Sequence, residues 1–455
     1  MNVAVLGGGL TGLTAAWRLS GAGHSVSLLE SAPRLGGSVV SEWVDGWLVE
    51  GGPNSLRGDS PEIGAMLDEL GLAPERIEPD AVAKRSYISL GGKLVALPPP
   101  SSLKEFMATP FLTMRARMRV AAESMFKPRA RSADVSVADF VRDHFGEVVL
   151  DRIAQPLVGG IWAGDAERLS VRSAFPQAWE AERTTGSLLR TLAERARKRS
   201  EEGLPAAQPA MSFRRGMQAL SNALASRLPP GTAVLNASVR AVRPVAGARW
   251  RVQWTGDGGE HSGEFDRVIA AIPGYCLARL EIGHEGERPL AGLSEIEYPA
   301  VASVFVGYRR EAVEHPLDGF GALVPAAENR SILGVIFSSS LFPGRAPDGH
   351  VALTALAGGA LTPLVTRLAP AELTRLVCED LGALLGARGK PAFVRHTLWP
   401  HGIPQYNLGF ERHIAAMDAC ERSNPGLLIG GSVRDGISVP ECLASGASLA
   451  KRAAA

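Results

Sequence analysis

The stretch Val3-Ala4-Val5-Leu6-Gly7-Gly8-Gly9-Leu10-Thr11-Gly12, continued by an apolar helical run over 13–19, decides the fold. After a turn at Gly21 to Gly23 comes a second apolar run, Val26-Ser27-Leu28-Leu29-Glu30. Strand, glycine turn, helix and strand in that order predict a βαβ unit that binds a dinucleotide. The spacing has physical causes. Gly7 permits the tight turn, Gly9 lets backbone N–H groups approach a pyrophosphate, and Gly12 lets the helix lie close to the sheet. The helix N-terminus adds unpaired donors and a partial positive charge. Glu30, 18 residues after Gly12, is placed to accept hydrogen bonds from a ribose, and its charge disfavours a 2′-phosphate.

At 455 residues the chain is too long for one core, so two or three domains are expected. Hydrophobic residues make up 45% and charged residues 21%, the balance of a globular protein rather than a disordered one. A net charge of +1 argues against a nucleic-acid partner. The chain enters a core strand at Val3, which leaves no room for a signal peptide, and no apolar run spans a bilayer. Cys276, Cys378, Cys420 and Cys442 are scattered without a CxxC, which fits reduced thiols and a cytoplasmic setting. His396, His401 and His413 match no ligand spacing, so no metal site is expected.

Further along, Trp47-Leu48-Val49 reads as a strand before a loop at Glu50-Gly51-Gly52-Pro53-Asn54-Ser55, and 61–72 as a short helix. The runs 87–90 and 93–97 flank Gly91-Gly92 as a hairpin, closed by Pro98, Pro99 and Pro100. From Leu103 to about Ser200 the pattern is helical. Basic residues lie among apolar ones at Arg115, Arg117 and Arg119 and again over 190–199. A solvated charged face is the plain reading; a surface resting on anionic lipid is the sharper one. A polar linker over 201–209 precedes a helix over 211–228. Strands follow at 233–235, 239–242 and 250–254, and a buried parallel strand at 266–273 returns to the nucleotide domain. The region 301–399 alternates strands with a helix at Pro370–Leu385; 426–431 is a last core strand, with Pro440 in the first turn of a closing helix.

Arg34-Leu35-Gly36-Gly37 extends the glycine motif, and this extension resembles the FAD-binding signature of the amine oxidase and protoporphyrinogen oxidase superfamily. Further runs carry the resemblance over almost the full length. They are Gly51-Gly52-Pro53-Asn54-Ser55, Gly160-Ile161-Trp162-Ala163-Gly164-Asp165, Gly402-Ile403-Pro404-Gln405-Tyr406-Asn407-Leu408-Gly409 and Gly436-Ile437-Ser438-Val439-Pro440-Glu441-Cys442. Together they resemble the oxygen-dependent protoporphyrinogen oxidases of the bacterial flavoprotein type. The fold so implied is α/β. A doubly wound, Rossmann-like FAD domain is built from 1–80, 211–272 and 425–455, an α+β substrate domain from 81–97 and 273–424, and a helical, membrane-associating insertion from 98–210.

The resemblance implies FAD contacts from Gly7, Gly8, Gly9, Leu10, Thr11, Gly12, Glu30, Ser31, Arg34, Gly37, Ser38, Gly52, Pro53, Asn54 and Ser55. Val239 would meet the adenine and Trp399 would lie near the flavin, with Ile437, Ser438 and Val439 at its pyrimidine end. The positive end of the helix at Pro440 would stabilise charge on the reduced ring. The substrate implied is a porphyrinogen, clamped by Phe320, Leu323, Leu333 and Leu356 and backed by Ala163 and Gly164. Family members often carry an arginine just before the aromatic residue of the first hairpin strand. Here that position is Ser86, and Arg85 lies one residue earlier, where strand alternation turns it to the other face. Arg85, re-aimed by a bulge, or Lys84 or Lys104 in its place, would pair with a propionate; a surface salt bridge is the bland alternative.

The reaction implied is hydride removal from a bridging carbon by flavin N5 with proton loss from a pyrrole nitrogen, three times over, with O2 as acceptor and H2O2 as by-product. No catalytic acid or base is assigned, because the cofactor carries the hard step. Peripheral membrane contact, a homodimer and hand-off to the next heme-pathway enzyme stay open as partner expectations. A coproporphyrinogen III oxidase is the near alternative. A flavin amine oxidase is a further one, weakened because Tyr406 is the only tyrosine after residue 308. A non-enzymatic flavin scaffold is the last.

Overall fold

In the computed structural model, which describes residues 1–57, 60–81, 83, 85–97, 107–203 and 210–455, strand Asn2–Leu6 is the centre of a five-stranded sheet. The strand order is 233–234, 25–29, 2–6, 267–270, 427–429, and every ladder is parallel. Side chains alternate along a strand. Val3 and Val5 therefore join Leu19, Leu28, Ile269 and Leu449 on one face, under helices Leu10–Gly21 and Val439–Ala454. Ala4 and Leu6 join Leu29, Val268, Trp250 and Phe265 on the other, against an antiparallel sheet of Ser238–Val245, Arg249–Gly256 and Gly259–Phe265. Burial on both faces is why these strands read as unbroken apolar runs.

A seven-stranded sheet runs in the order 393–399, 301–309, 350–358, 332–336, 319–323, 85–90, 93–97. Helix Pro370–Leu385 covers one of its faces. There Leu373, Val377 and Leu381 meet Val304, Val306, Leu353, Ala355, Val335 and Tyr87. The hairpin of Arg85–Leu90 and Lys93–Leu97 turns through Gly91 and Gly92, both at positive φ, as a two-residue turn requires. The helical segment contains Met114–Glu123, Val137–Phe145, Gln155–Trp162, Pro176–Thr184 and Leu188–Glu201. No helix among the described residues is long and apolar enough to cross a membrane. Lys84, Pro98, Pro99, Pro100, Leu103, Lys104 and most of the expected linker (204–209) lie outside the described residues.

One expected element differs. The helix expected over 211–228 is instead a strand, Ala210–Phe213, followed after a turn by helix Gln218–Ser226. The strand pairs with Leu56–Arg57 and with Arg76–Ile77, and Gly216 at φ +84° interrupts any helix between the two elements. Distant partners overrode the local apolar period.

Candidate active site

The glycine turn forms as its spacing requires. Gly7 N–H donates to Leu29 O at 2.8 Å, and the helix starts at Leu10 with Gly9 as an N-cap that offers no side chain. The first-turn N–H groups of the helix thus point outward from a bare glycine cap. A Cβ on Gly12 would fall on the carbonyl oxygen of Gly7, whereas a Cβ on Gly9 would meet no atom within 4 Å. That combination, backbone in contact on one side and open space above the helix end on the other, fits a pyrophosphate. The second glycine pair closes over it: Gly36 N–H donates to Gly8 O at 2.8 Å, and a Cβ on Gly37 would lie 3.1 Å from Gly9 Cα. Arg34 acts locally, its guanidinium donating to Gly37 O at 2.7 Å and to Val39 O at 3.3 Å.

Glu30 accepts from Gly8 N–H at 2.6 Å, from Ala32 N–H at 2.7 Å and from the Ser31 hydroxyl at 3.3 Å. A carboxylate has about four acceptor directions, so capacity remains for a ribose hydroxyl. Ala237 N–H donates to Glu30 O at 2.8 Å, which brings the segment leading to Val239 to the same end. A bulge follows Val239 in its strand, which leaves the residue half-buried.

At the opposite end, Gly52 touches the loop of Ser38: a Cβ there would fall on Ser38 O. Asn54 donates to Gly52 O at 3.2 Å, within the turn that Pro53 and Ser55 complete, and the Trp399 indole donates to Gly51 O at 2.7 Å. Tyr406 joins two motif runs, its hydroxyl donating to Ser432 O at 2.7 Å and accepting from Gly436 N–H at 3.1 Å. Ser438 caps helix Val439–Ala454 in a reciprocal capping box with Glu441, which follows Ile437 and Val439 in the same turn. The Glu441 carboxylate therefore offsets part of the positive helix end expected there. Thr11 donates to Cys442 O at 3.1 Å, tying this helix to the helix that follows the glycine turn.

Strand register builds the remaining wall. Leu323, Gly334, Leu356, Ser303 and Thr397 are successive partners across five strands, so their side chains share one face, opposite to that of helix Pro370–Leu385. Thr397 reaches the loop of Gly51: a Cβ on Gly51 would lie 2.8 Å from its Oγ1. Helix Gln155–Trp162 crosses the other end, where a Cβ on Gly160 would lie 2.7 Å from Leu323 Cδ2. This helix stops at Ala163 in the left-handed conformation, whose carbonyl accepts from Ala360 N–H at 2.8 Å. Phe320 and Leu333 sit on the same strands at bulges, where alternation no longer sets direction.

Arg85 does not join this face. It alternates with Ile88, the partner of Leu323, and shares the opposite face with buried Tyr87. Its guanidinium pairs with Asp318 at 3.1 Å, and the Tyr87 hydroxyl binds the same carboxylate. Propionate pairing by Arg85 is thereby replaced by the surface salt bridge.

Four further polar residues help to hold these loops and turns. Glu50, 2% exposed, accepts from the Ser41 hydroxyl at 2.5 Å and Met217 N–H at 2.9 Å and lies 3.5 Å from Arg345, itself 1% exposed. Burial pushes its carboxyl up to about 7 against the pull of Arg345, and burial also lowers Arg345. Gln405, buried, donates to Trp162 O at 2.8 Å, and Gln155 donates to Gly164 O at 3.2 Å. Together the two amides hold the turn that ends the helix. In sequence Arg345 stands in a Gly/Pro-rich turn and Gln155 looks like an ordinary polar position, whereas Glu50 and Gln405 lie inside quoted runs with no role assigned to them.

The profile of the flavin containing amine oxidoreductase family matches residues 10–454. The mitochondrial protoporphyrinogen oxidase of Nicotiana tabacum is 31% identical, over 99% of this chain and 94% of that protein. The coproporphyrinogen III oxidase of Bacillus subtilis (strain 168) is 25% identical, over 98% of this chain and 96% of the relative. A crystal structure from Exiguobacterium sp. 255-15, provisionally assigned as a protoporphyrinogen oxidase, superposes with a TM-score of 0.82 at 23% identity, covering 99% of this chain and 98% of that one.

Proposed function

We propose, from the premise that this chain belongs to the flavin-containing amine oxidoreductase family, that it oxidises protoporphyrinogen IX to protoporphyrin IX. Three O2 are reduced to three H2O2 as six hydrogens leave the macrocycle. FAD, when bound, supplies the two-electron acceptor and its reoxidation by oxygen. The chain's own residues bind, orient and exclude water. Gly7 to Gly12, Glu30, Ser31, Arg34, Gly37 and Ser38 would hold the dinucleotide half; Gly52 to Ser55, Trp399 and Ile437 to Val439 would border the ring; Val239 would border the adenine.

The observation that carries this reading is the continuous row from Leu323 through Gly334, Leu356 and Ser303 to Thr397, ending at Gly51. Its apolar end and its glycine gap suit a flat, greasy macrocycle, and its polar end adjoins the flavin loop. Leu323, Leu356 and Gly164 would contact the rings, with Phe320, Leu333 and Ala163 beside them; Arg85 is not part of the proposal.

Anaerobic mixing of the yellow holoenzyme with protoporphyrinogen IX should bleach its flavin absorbance, and admitting air should then produce porphyrin fluorescence. Absence of bleaching refutes the substrate; bleaching without porphyrin points to a different reductant. Coproporphyrinogen III remains as the second reading because the Bacillus relative matches end to end. Side-by-side kcat/KM values on the two porphyrinogens decide between them.

The same reading sets the protein in the cytoplasm at a membrane surface. Met114, Met118 and Met125 are 68%, 61% and 74% exposed, and Arg115 beside them is exposed too. Arg117, half-buried, donates instead to Thr109 O, and Arg119, exposed, to Asp143 O. Co-sedimentation with anionic but not zwitterionic vesicles tests this, and no binding to either rejects it.

A further inference from the structure

Away from the row described above, a cavity of about 460 Å³ opens between helix Gly274–Leu277, the 3₁₀ turn Ala291–Glu295 and the loop after strand Phe393–Trp399. Its walls combine two kinds of group. Tyr275, Tyr298 and His401 form an aromatic corner, with Tyr275 and His401 centroids 4.4 Å apart and Tyr275 edge-on to Tyr298 at 5.0 Å. Arg279 and Arg288 supply two cations, and Ser294 a hydroxyl. The Arg279 guanidinium has no hydrogen bond or ion pair among the described residues, and that of Arg288 only a distant contact with Glu281 at 3.9 Å. Two under-used guanidinium groups beside clustered aromatic rings match a flat aromatic ligand that bears paired anionic groups.

The walls are anchored rather than loose. Tyr298 accepts from Gly274 N–H at 2.9 Å, and a Cβ on Gly274 would lie 3.0 Å from Val433, in the loop that Tyr406 holds. The loop that carries His401 also carries Gln405, which fixes the end of helix Gln155–Trp162. One short segment therefore touches both this cavity and the wall of the proposed active site.

We propose that this cavity is a second binding site, outside the active site, for a planar aromatic with adjacent carboxylates, namely the propionate edge of a porphyrin. The ligand's identity rests on the function proposed above. The volume holds one edge of the macrocycle, two pyrrole rings and their two carboxylates, and leaves the rest at the surface. A porphyrin here draws on the same 401–405 loop as the active site, so occupancy should give product inhibition that is not competitive with the porphyrinogen.

The test uses holoenzyme, protoporphyrin IX, and the variants Arg279→Glu/Arg288→Glu and Tyr275→Ala. Titration followed by the Soret band should show two equivalents in the wild type. In either variant the second site should weaken by about tenfold or more, with kcat retained and the noncompetitive inhibition lost. The two variants remove different contacts, so misfolding of one, seen as lost FAD, leaves the other to decide. Turnover with one equivalent in the wild type overturns the proposal, as does a second site indifferent to both variants. So does an arginine-dependent site that takes ADP in preference to the porphyrin. No turnover of porphyrinogen, with arginine-dependent porphyrin binding intact, sinks the proposed function but leaves this site standing.

Discussion

Gly9 and Gly12 stand three residues apart in one motif, yet the structure assigns them opposite kinds of necessity, and substituting each by alanine separates cofactor binding from folding. Gly9 has φ −71° and ψ 179°, a conformation that alanine adopts without strain, and its Cβ would meet nothing within 4 Å. Gly9→Ala should therefore leave the deflavo protein as stable as the wild type, or raise its stability by about 0.4–1 kcal/mol through a less flexible unfolded chain. The methyl group instead fills the space above the helix end. If a pyrophosphate must approach the backbone there, overpacking should cost about 1–3 kcal/mol, or roughly 5- to 150-fold in FAD affinity. Gly12→Ala drives its methyl into the Gly7 carbonyl, a backbone atom that no side-chain rotation can relieve. That variant should lose both stability and FAD. The assay is the thermal midpoint of the deflavo protein, with FAD affinity from quenching of FAD fluorescence. In Gly9→Ala the midpoint gained on adding FAD should shrink, as linkage requires. A deflavo Gly9→Ala protein destabilised by more than about 1 kcal/mol, or one that binds FAD like the wild type, refutes the reasoning.

The buried pair predicts a pH dependence. Because the Glu50 pKa is raised from 4.5 to about 7, its contribution to stability is present below the unfolded pKa and is lost as pH rises through 7, on the order of 3 kcal/mol. Urea midpoints from pH 5 to 8 should fall in the wild type and flatten in Glu50→Gln. Arg345→Met leaves the carboxyl without its cation and should cost about 3 kcal/mol at pH 8, with Glu50→Gln/Arg345→Met recovering part of that loss; no recovery would mean the pair is not coupled. Gly164→Ala would place a methyl on the Gln405 side-chain oxygen, so KM for porphyrinogen should rise at unchanged FAD content, and Gly164→Ala/Gln405→Ala should relieve it. Leu356→Ala, at a half-buried position, should raise KM severalfold while shifting stability by under about 2 kcal/mol; an unaltered KM removes Leu356 from the proposed substrate wall.

The sequence by itself determined the nucleotide half of this protein, because every part of that signal is local. Strand, turn, helix and the acid at Glu30 lie within 30 residues, and Gly12 answers a contact with Gly7 inside the same βαβ unit. The hairpin at Gly91-Gly92 and the helix start at Pro440 were legible for the same reason. Tertiary structure alone decided the rest. Ala210–Phe213 is a strand only because Leu56–Arg57 and Arg76–Ile77 come to it from more than 130 residues away. The row from Leu323 to Thr397 exists only through the register of five strands, which bulges near Phe320 and Leu333 help to set. Arg85 faces Asp318, and Arg345 finds Glu50, because long-range pairing settles which side of a sheet each charge occupies. A one-residue change of register would reverse the facing, and composition, motif and period along one strand hold no information about it.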